Sequence, residues 1–362
     1  MNRLVIIGNG FDLAHGLRTS YSDFLEWYKK DYIAHLKGKF ISQYDDGLCS
    51  IDFTGKENSR IQHRSLYEFD KLYIDFQDIN KYSIKTFNKS SLLTEIEKNY
   101  KLKGWIDIEE DYYRLLKEII FSDFSIQIKI EKVSRLNKQL NYLKLKLAEY
   151  LRYVQNEREG FKEMDLVNII CSNIDLYNEV EPTMTNIIAL ANRGLQTIES
   201  ENTKIINFNY TNTVEEFCEE YDIECSYIHG NLSNPESIIF GYGDEVDEKF
   251  KLISNYNENE YLRNFKSYRY LESGVYRDIL RFIESDKYQI IILGHSCGNS
   301  DRTLLNTLFN HKNCISIKPY YYRDDNGKDN YSDIIMNISR NFNDIAAMRS
   351  KVVDKEHCQL LK

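Results

Sequence analysis

The sequence has no Cys-x-x-Cys pair, although it carries seven cysteines, at positions 49, 171, 218, 225, 297, 314 and 358. An odd, scattered set of this kind excludes a disulfide framework and a zinc ribbon, and reads as reduced thiols. No group of His, Cys and carboxylates stands at metal-ligand spacing, so no metal is expected. Nor is there a surplus of basic charge: 47 Lys and Arg face 56 Asp and Glu, a formal net charge of -9. That balance argues against unselective binding to nucleic acid or to an anionic membrane. No apolar run approaches the length needed to span a bilayer. The first apolar strand begins three residues into the sequence, leaving no room for a secretory signal, and a cytoplasmic protein is expected.

What is present is enough for a large core, with 42% hydrophobic residues in a chain of 362. Leu4-Val5-Ile6-Ile7 fits a strand buried on both faces, and Gly8-Asn9-Gly10-Phe11-Asp12 ends it abruptly. In open parallel sheets ligands sit beyond the carboxyl ends of strands, where glycines let backbone N–H groups approach a phosphate. The third glycine of the dinucleotide fingerprint is missing, with Leu13 in its place. An ordinary dinucleotide dehydrogenase is therefore poorly supported.

Helical spacing of Phe24, Leu25, Tyr28, Tyr32, Ile33 and Leu36 predicts an amphipathic helix over 21–37, packed on the sheet. Residues 38–100 show no sustained period and read as an insertion of short elements and mobile loops. The acidic stretch 105–113 opens a new helix; its acids suit the helix dipole, or Asp107 or Glu109 reaches a ligand cleft. From Ile126 to Val154 apolar residues step by three or four, predicting one long helix over about 124–158. Such a helix builds a helical subdomain or a surface for a protein partner or a second copy. Shorter helices are expected near 161–178 and 184–199. From residue 203 strands and helices alternate, with strands at 204–208, 226–228, 237–240, 289–293 and 314–322. This implies an α/β fold with a Rossmann-like, doubly wound parallel sheet. Its core would comprise 1–37 and 203–345, interrupted by a large, mostly helical insertion over 38–202 and followed by a tail over 346–362.

Five strands end in polar or glycine signatures at the same relative place: Gly8 to Asp12, Asn207 to Asn212, His229-Gly230, Gly241 to Asp244, and Gly294 to Asp301. Glycines 8, 10, 230, 241, 243, 294 and 298 are seven of the sixteen in the chain, a concentration that turn chemistry alone does not explain. In a parallel sheet these ends converge on one edge.

These residues resemble a known family. Ile7-Gly8-Asn9-Gly10-Phe11-Asp12, His15-Gly16-Leu17 with Thr19-Ser20-Tyr21 and Phe24, and Trp105-x-Asp107-x-Glu109 look like the bacterial phage abortive-infection AbiH family. So do Asn207-Phe208-Asn209-Tyr210-Thr211, His229-Gly230, and Gly294-His295-Ser296 with Asp301. The resemblance runs from the first strand to about residue 310. The same motif order is more distantly similar to the sirtuin-like NAD-binding domains of antiviral effectors. Carried over by residue, it implies that Gly8, Asn9, Gly10 and Phe11 bind the pyrophosphate of NAD or a related nucleotide. Asn209 would orient an attacking water beside the nicotinamide ribose, and His229 would accept a proton from a ribose hydroxyl. Gly294, His295, Ser296 and Asp301 would form a second nucleotide-binding loop, with Thr211 also at the ligand.

Cleavage of a nicotinamide glycosidic bond builds positive charge on the ribose, and a carboxamide with a near-neutral imidazole suits that chemistry. Thr211 stands where sirtuin-like domains carry an aspartate, so Asp12 is the candidate to supply that carboxylate from another strand. Cys297 lies in the same loop, but free cysteines are more often packing residues and no nucleophile is assigned. Three functions follow: an NAD glycohydrolase-like effector, a non-catalytic nucleotide sensor that reaches a partner through the long helix, and a magnesium nuclease using Asp12, Asp107 and Glu109. The acidic charge balance ranks the nuclease last.

Overall fold

Alternation along the strands determines how the protein is layered. In the computed structural model, which describes residues 1–36, 43–53, 84–103, 106–157, 165–182 and 194–361, five parallel strands form one sheet. They are β1 (Asn2–Ile7), β2 (Thr203–Asn207), β3 (Glu224–Tyr227), β4 (Tyr288–Leu293) and β5 (Cys314–Pro319). Their spatial order is β5-β4-β1-β2-β3. The sequence could not fix this order, which reverses between β1 and β4 as in a doubly wound sheet.

Successive side chains point to opposite faces, so each strand feeds two cores. Leu4, Ile6, Ile206, Ile290 and Ile292 pack with Ile279, Leu304, Leu308 and Ile338 from helices on one face. Val5, Ile7, Ile205, Ile291 and Leu293 pack with Leu166, Ile170, Val214 and Cys218 on the other. Because both faces are covered, β1 and β4 read as unbroken apolar runs rather than alternating ones.

The register then aligns the strand ends. Ile7 is paired with Asn207 on one side and Leu293 on the other, and Asn207 with Tyr227. Gly8, Phe208, Ile228 and Gly294 therefore leave the sheet at one level.

The chain divides into two compact units, Met1–Arg18 with Val154–Leu252 and Phe265–Lys362, and Thr19–Tyr153 with Ile253–Asn264. The sheet belongs to the first. Helix Tyr21–Leu36 forms as expected and falls in the second unit. Its buried aromatic residues meet others of that unit: Phe24 with Tyr150 at 5.9 Å, and Tyr32 with Tyr44 at 5.3 Å. The second unit also holds a three-stranded antiparallel sheet, Gln43–Asp45, Cys49–Phe53 and Ile84–Lys89, within a segment expected to be mostly helical. Residues 54–83 of that segment lie outside the described ones.

The long helix is present over Ile126–Asn156, 31 residues. Residue 158 lies outside the described ones. Its stripe from Val133 to Leu151 is buried within the protein itself, while Ile126 at its start is 74% exposed. Among the described residues no helix is long and apolar enough to cross a membrane.

Three expectations are corrected. Residues 237–240 are not a strand. Pro235 has no N–H, and Ser237 and Ile238 donate back to Asn234 and Pro235, curling the chain into a turn. Within 161–178 the described helix is only Leu166–Ile170, because Asp175 accepts from Tyr177 and Asn178 and closes a turn after a short strand. Of 184–199, residues 184–193 lie outside the described ones, and Thr197–Ile198 is a strand rather than helix. In the C-terminal tail, helix Ile345–Lys351 is followed by bridges from Val352 to Ile317 and from Leu360 to Tyr321.

Candidate functional site

The site residues of the first unit are assembled by the two central strand ends. Gly10 donates its N–H to Gly294 O at 2.8 Å, binding the loop after β1 to the loop after β4. Gly294 has φ +69, and a Cβ there would lie 2.1 Å from Phe11 N. Only glycine permits this contact. The glycines thus serve the approach of two backbones. Gly8 N and Phe11 N are also committed, to Leu293 O and Gly8 O. The donors expected to cradle a phosphate are therefore used internally, which leaves exposed Asn9 as the residue of this loop that faces outward. Phe11 is not at a surface either. Its ring is fully buried among Val5, Leu166 and Ile205, because the short helix Asn9–Ala14 turns it under the sheet.

Asn209 lies against the first loop. Its Nδ2 donates to Gly8 O at 3.0 Å, and its backbone N–H donates to Asn207 Oδ1 at 2.9 Å. The loop after β2 is thereby held to the loop after β1. Beside it, Thr211 Oγ1 donates to Asp12 Oδ2 at 2.5 Å, both residues being buried. This bond ties the residues after β2 to the short helix after β1.

A second cluster lies beyond the ends of β3 and β4. Its centre is Asp301, at the end of the turn Asn299–Asp301. Lys266 Nζ lies 2.7 Å from Asp301 Oδ1, His229 Nε2 3.3 Å from the same oxygen, and His295 Nε2 3.4 Å from Oδ2. Tyr270 OH is 3.2 Å from His229 Nε2. Phe208, the residue after β2, stands between the two imidazoles, its ring centroid 4.2 Å from His295 and 5.3 Å from His229. His295 Nδ1 accepts from Cys297 N at 3.0 Å, which places the ring proton of the neutral form on Nε2, towards Asp301. His295 also covers the first loop, since a Cβ on Gly8 would meet its Cδ2 at 2.8 Å. The two clusters are continuous through Gly8, His295 and Phe208.

The electrostatics follow from burial. His229 is lowered to about 4, first by desolvation and then by the Lys266 ammonium, with Asp301 pulling the other way. It is a neutral imidazole at neutral pH. Burial pushes the Asp301 carboxyl up, but Lys266, then His229, and hydrogen bonds from both imidazoles hold it well below the usual carboxylate range. Burial pushes the Cys297 thiol up, with Asp301 adding to the effect. A thiol of this kind is a poor nucleophile.

His229 is set in place by the chain after it. Ile239 N donates to His229 O at 2.9 Å, and Gly230, at φ +75, would carry a Cβ 2.3 Å from Ser237 O. Ser296 is exposed, and its carbonyl accepts from Asn337 Nδ2 at 2.8 Å. Sequence reasoning named Asp301 and both imidazoles but missed Lys266 and Tyr270. Lys266 is 1% exposed. It stands in Asn264-Phe265-Lys266-Ser267, where nothing in the spacing marks a buried cation.

Asp107, considered above as a ligand or metal group, accepts from Glu110 N at 2.9 Å and caps helix Ile108–Ile120. Trp105 lies outside the described residues.

Compared with known proteins, residues 4–322 match the family model described as bacteriophage abortive infection AbiH. No curated protein matches the chain, and no solved structure does.

Proposed function

The chain belongs to the bacteriophage abortive infection family AbiH, and from that premise we propose that it is a phage-defence effector that hydrolyses the glycosidic bond of NAD or a related nucleotide. One observation carries this reading. A carboxamide, a carboxylate and a neutral imidazole converge where parallel strands end, on loops joined by direct hydrogen bonds. That is where α/β sheets of this order bind nucleotides.

In this reading the ligand lies along the edge formed by Asn9, Asn209 and the His229 cluster. Asn209, whose amino group is spent on Gly8 O, presents its amide oxygen to the attacking water. His229 takes a proton from a ribose hydroxyl, a role that requires an uncharged imidazole at working pH. Asp12, held by Thr211, supplies negative potential as positive charge grows on the ribose. Gly294, His295, Ser296 and Asp301 form the second wall.

Incubating the purified protein with NAD and following nicotinamide release tests the reading. Asn209→Ala and His229→Ala are each expected to slow release by about 10²-fold or more. Equal rates in wild type and both variants would remove the assigned roles. Tight nucleotide binding without any product would favour the sensor.

A further inference from the structure

We propose that Lys266 is a positioning residue of this site: its buried ammonium takes up the charge of Asp301, and the carboxylate so balanced holds His229 as an uncharged ring with its proton on Nε2, leaving Nδ1 to accept a proton. The proposal rests on the functional reading above only for the use to which that proton acceptor is put. The arrangement itself stands on geometry.

A carboxylate beside an imidazole ordinarily draws the imidazole into its charged form. Here Asp301 Oδ1 lies nearer to Lys266 Nζ, at 2.7 Å, than to His229 Nε2, at 3.3 Å. The ammonium is 1% exposed, so water screens little of its field. The carboxylate keeps enough acceptor capacity to receive an N–H from each ring, His229 on Oδ1 and His295 on Oδ2. Asp301 Oδ1 can only accept, so at 3.3 Å from Nε2 it selects the tautomer protonated there, and the Tyr270 hydroxyl, 3.2 Å from the same nitrogen, can accept as well. The titratable groups facing His229 come from five places. They are Asp301 from the turn Asn299–Asp301, Lys266 from helix Lys266–Arg269, Tyr270 from the turn Tyr270–Glu272, His295 from the loop after β4, and Tyr210 from the loop after β2. Lys266 is the one permanent cation in this group at neutral pH, and His229 with a midpoint of about 4 agrees with its presence.

Histidine-selective ¹⁵N spectra of the whole protein, with His229 assigned from the His229→Gln variant, read both the charge and the tautomer. In wild type at pH 6, His229 is expected to be neutral and protonated on Nε2. Lys266→Gln is expected to raise its titration midpoint by roughly 1–3 pH units, and Lys266→Arg to restore the wild-type midpoint. A charged ring or an Nδ1–H tautomer in wild type overturns the proposal, and so does an unmoved midpoint in Lys266→Gln. Should Lys266→Gln not fold, the wild-type tautomer decides, together with Asp301→Asn, which is expected to lose the Nε2–H preference. Nicotinamide release plays no part in these spectra. Absent hydrolysis therefore overturns the functional reading alone, while unexpected spectra overturn this inference alone.

Discussion

The same sheet carries buried polar networks at both ends, and they are built from different chemistry. At the amino end, Arg3 donates to Ile170 O at 2.7 Å, Ser172 O at 2.6 Å and Gln289 Oε1 at 3.0 Å. Gln289 in turn donates to Glu179, which Lys318 meets at 2.6 Å. The centre of this network is a guanidinium bound to amide and backbone carbonyl oxygens, groups that do not change charge between pH 4 and 7, so this end is an anchor. At the carboxyl end two imidazoles and one carboxylate share a site with Lys266. Of these groups His229 takes up a proton as the pH falls to about 4, and the strand order reverses just there. Burial alone does not distinguish the two ends; the capacity to titrate does.

The contrast is broken most strongly at the anchor. Arg3→Met strands three acceptors in the interior and is expected to cost about 3–5 kcal/mol of stability, read as a lowered urea midpoint. That loss should be the same at pH 5 and pH 7.

Acid should act on the other end. His229 binds its proton at about 4 in the folded chain, against about 6.5 for an ordinary exposed imidazole, so the unfolded chain binds more protons between those limits. Stability is complete above pH 6.5 and falls as the pH drops, by on the order of 3 kcal/mol at pH 4. Asp301, held low in the folded state, adds a loss of the same sign at still lower pH. Urea titrations of wild type and His229→Gln across pH 4–7 should therefore converge as the pH falls. Parallel curves would contradict the assignment.

Tyr270→Phe sharpens the comparison with the smallest change. Loss of the hydroxyl at His229 Nε2 is expected to cost about 1 kcal/mol, with no effect on the amino-end network. Calorimetry of the variant at pH 7 measures it.

How far the sequence could be read depended on the distance over which the decisive force acts. Strands β1 and β4 were legible because a doubly covered strand must be apolar at every position, and Leu4 to Ile7 and Ile290 to Leu293 are. The length of Ile126–Asn156 was legible for a similar reason, as a single apolar stripe repeats along it. The strand at 237–240 failed because its apolar residues are buried without being extended: local bonds from Ser237 and Ile238 override the strand pattern. Helix Tyr21–Leu36 was recognised as a helix from its spacing, but that spacing did not reveal the aromatic partners Tyr44 and Tyr150, since amphipathicity says that a face is buried and not against what.

By itself the sequence determined the strand-end vocabulary: the glycines, Asn209, His229, His295 and Asp301, each announced by its place after an apolar run. Tertiary structure alone decided what these residues do to one another. The register levels Gly8, Phe208 and Gly294, the glycine contact closes the two central loops, and Lys266 arrives from a segment with no motif. The physical reason is that local periodicity reports the environment of a single element. A charge acts through space on whatever packing brings near it, and that proximity is a property of the folded chain.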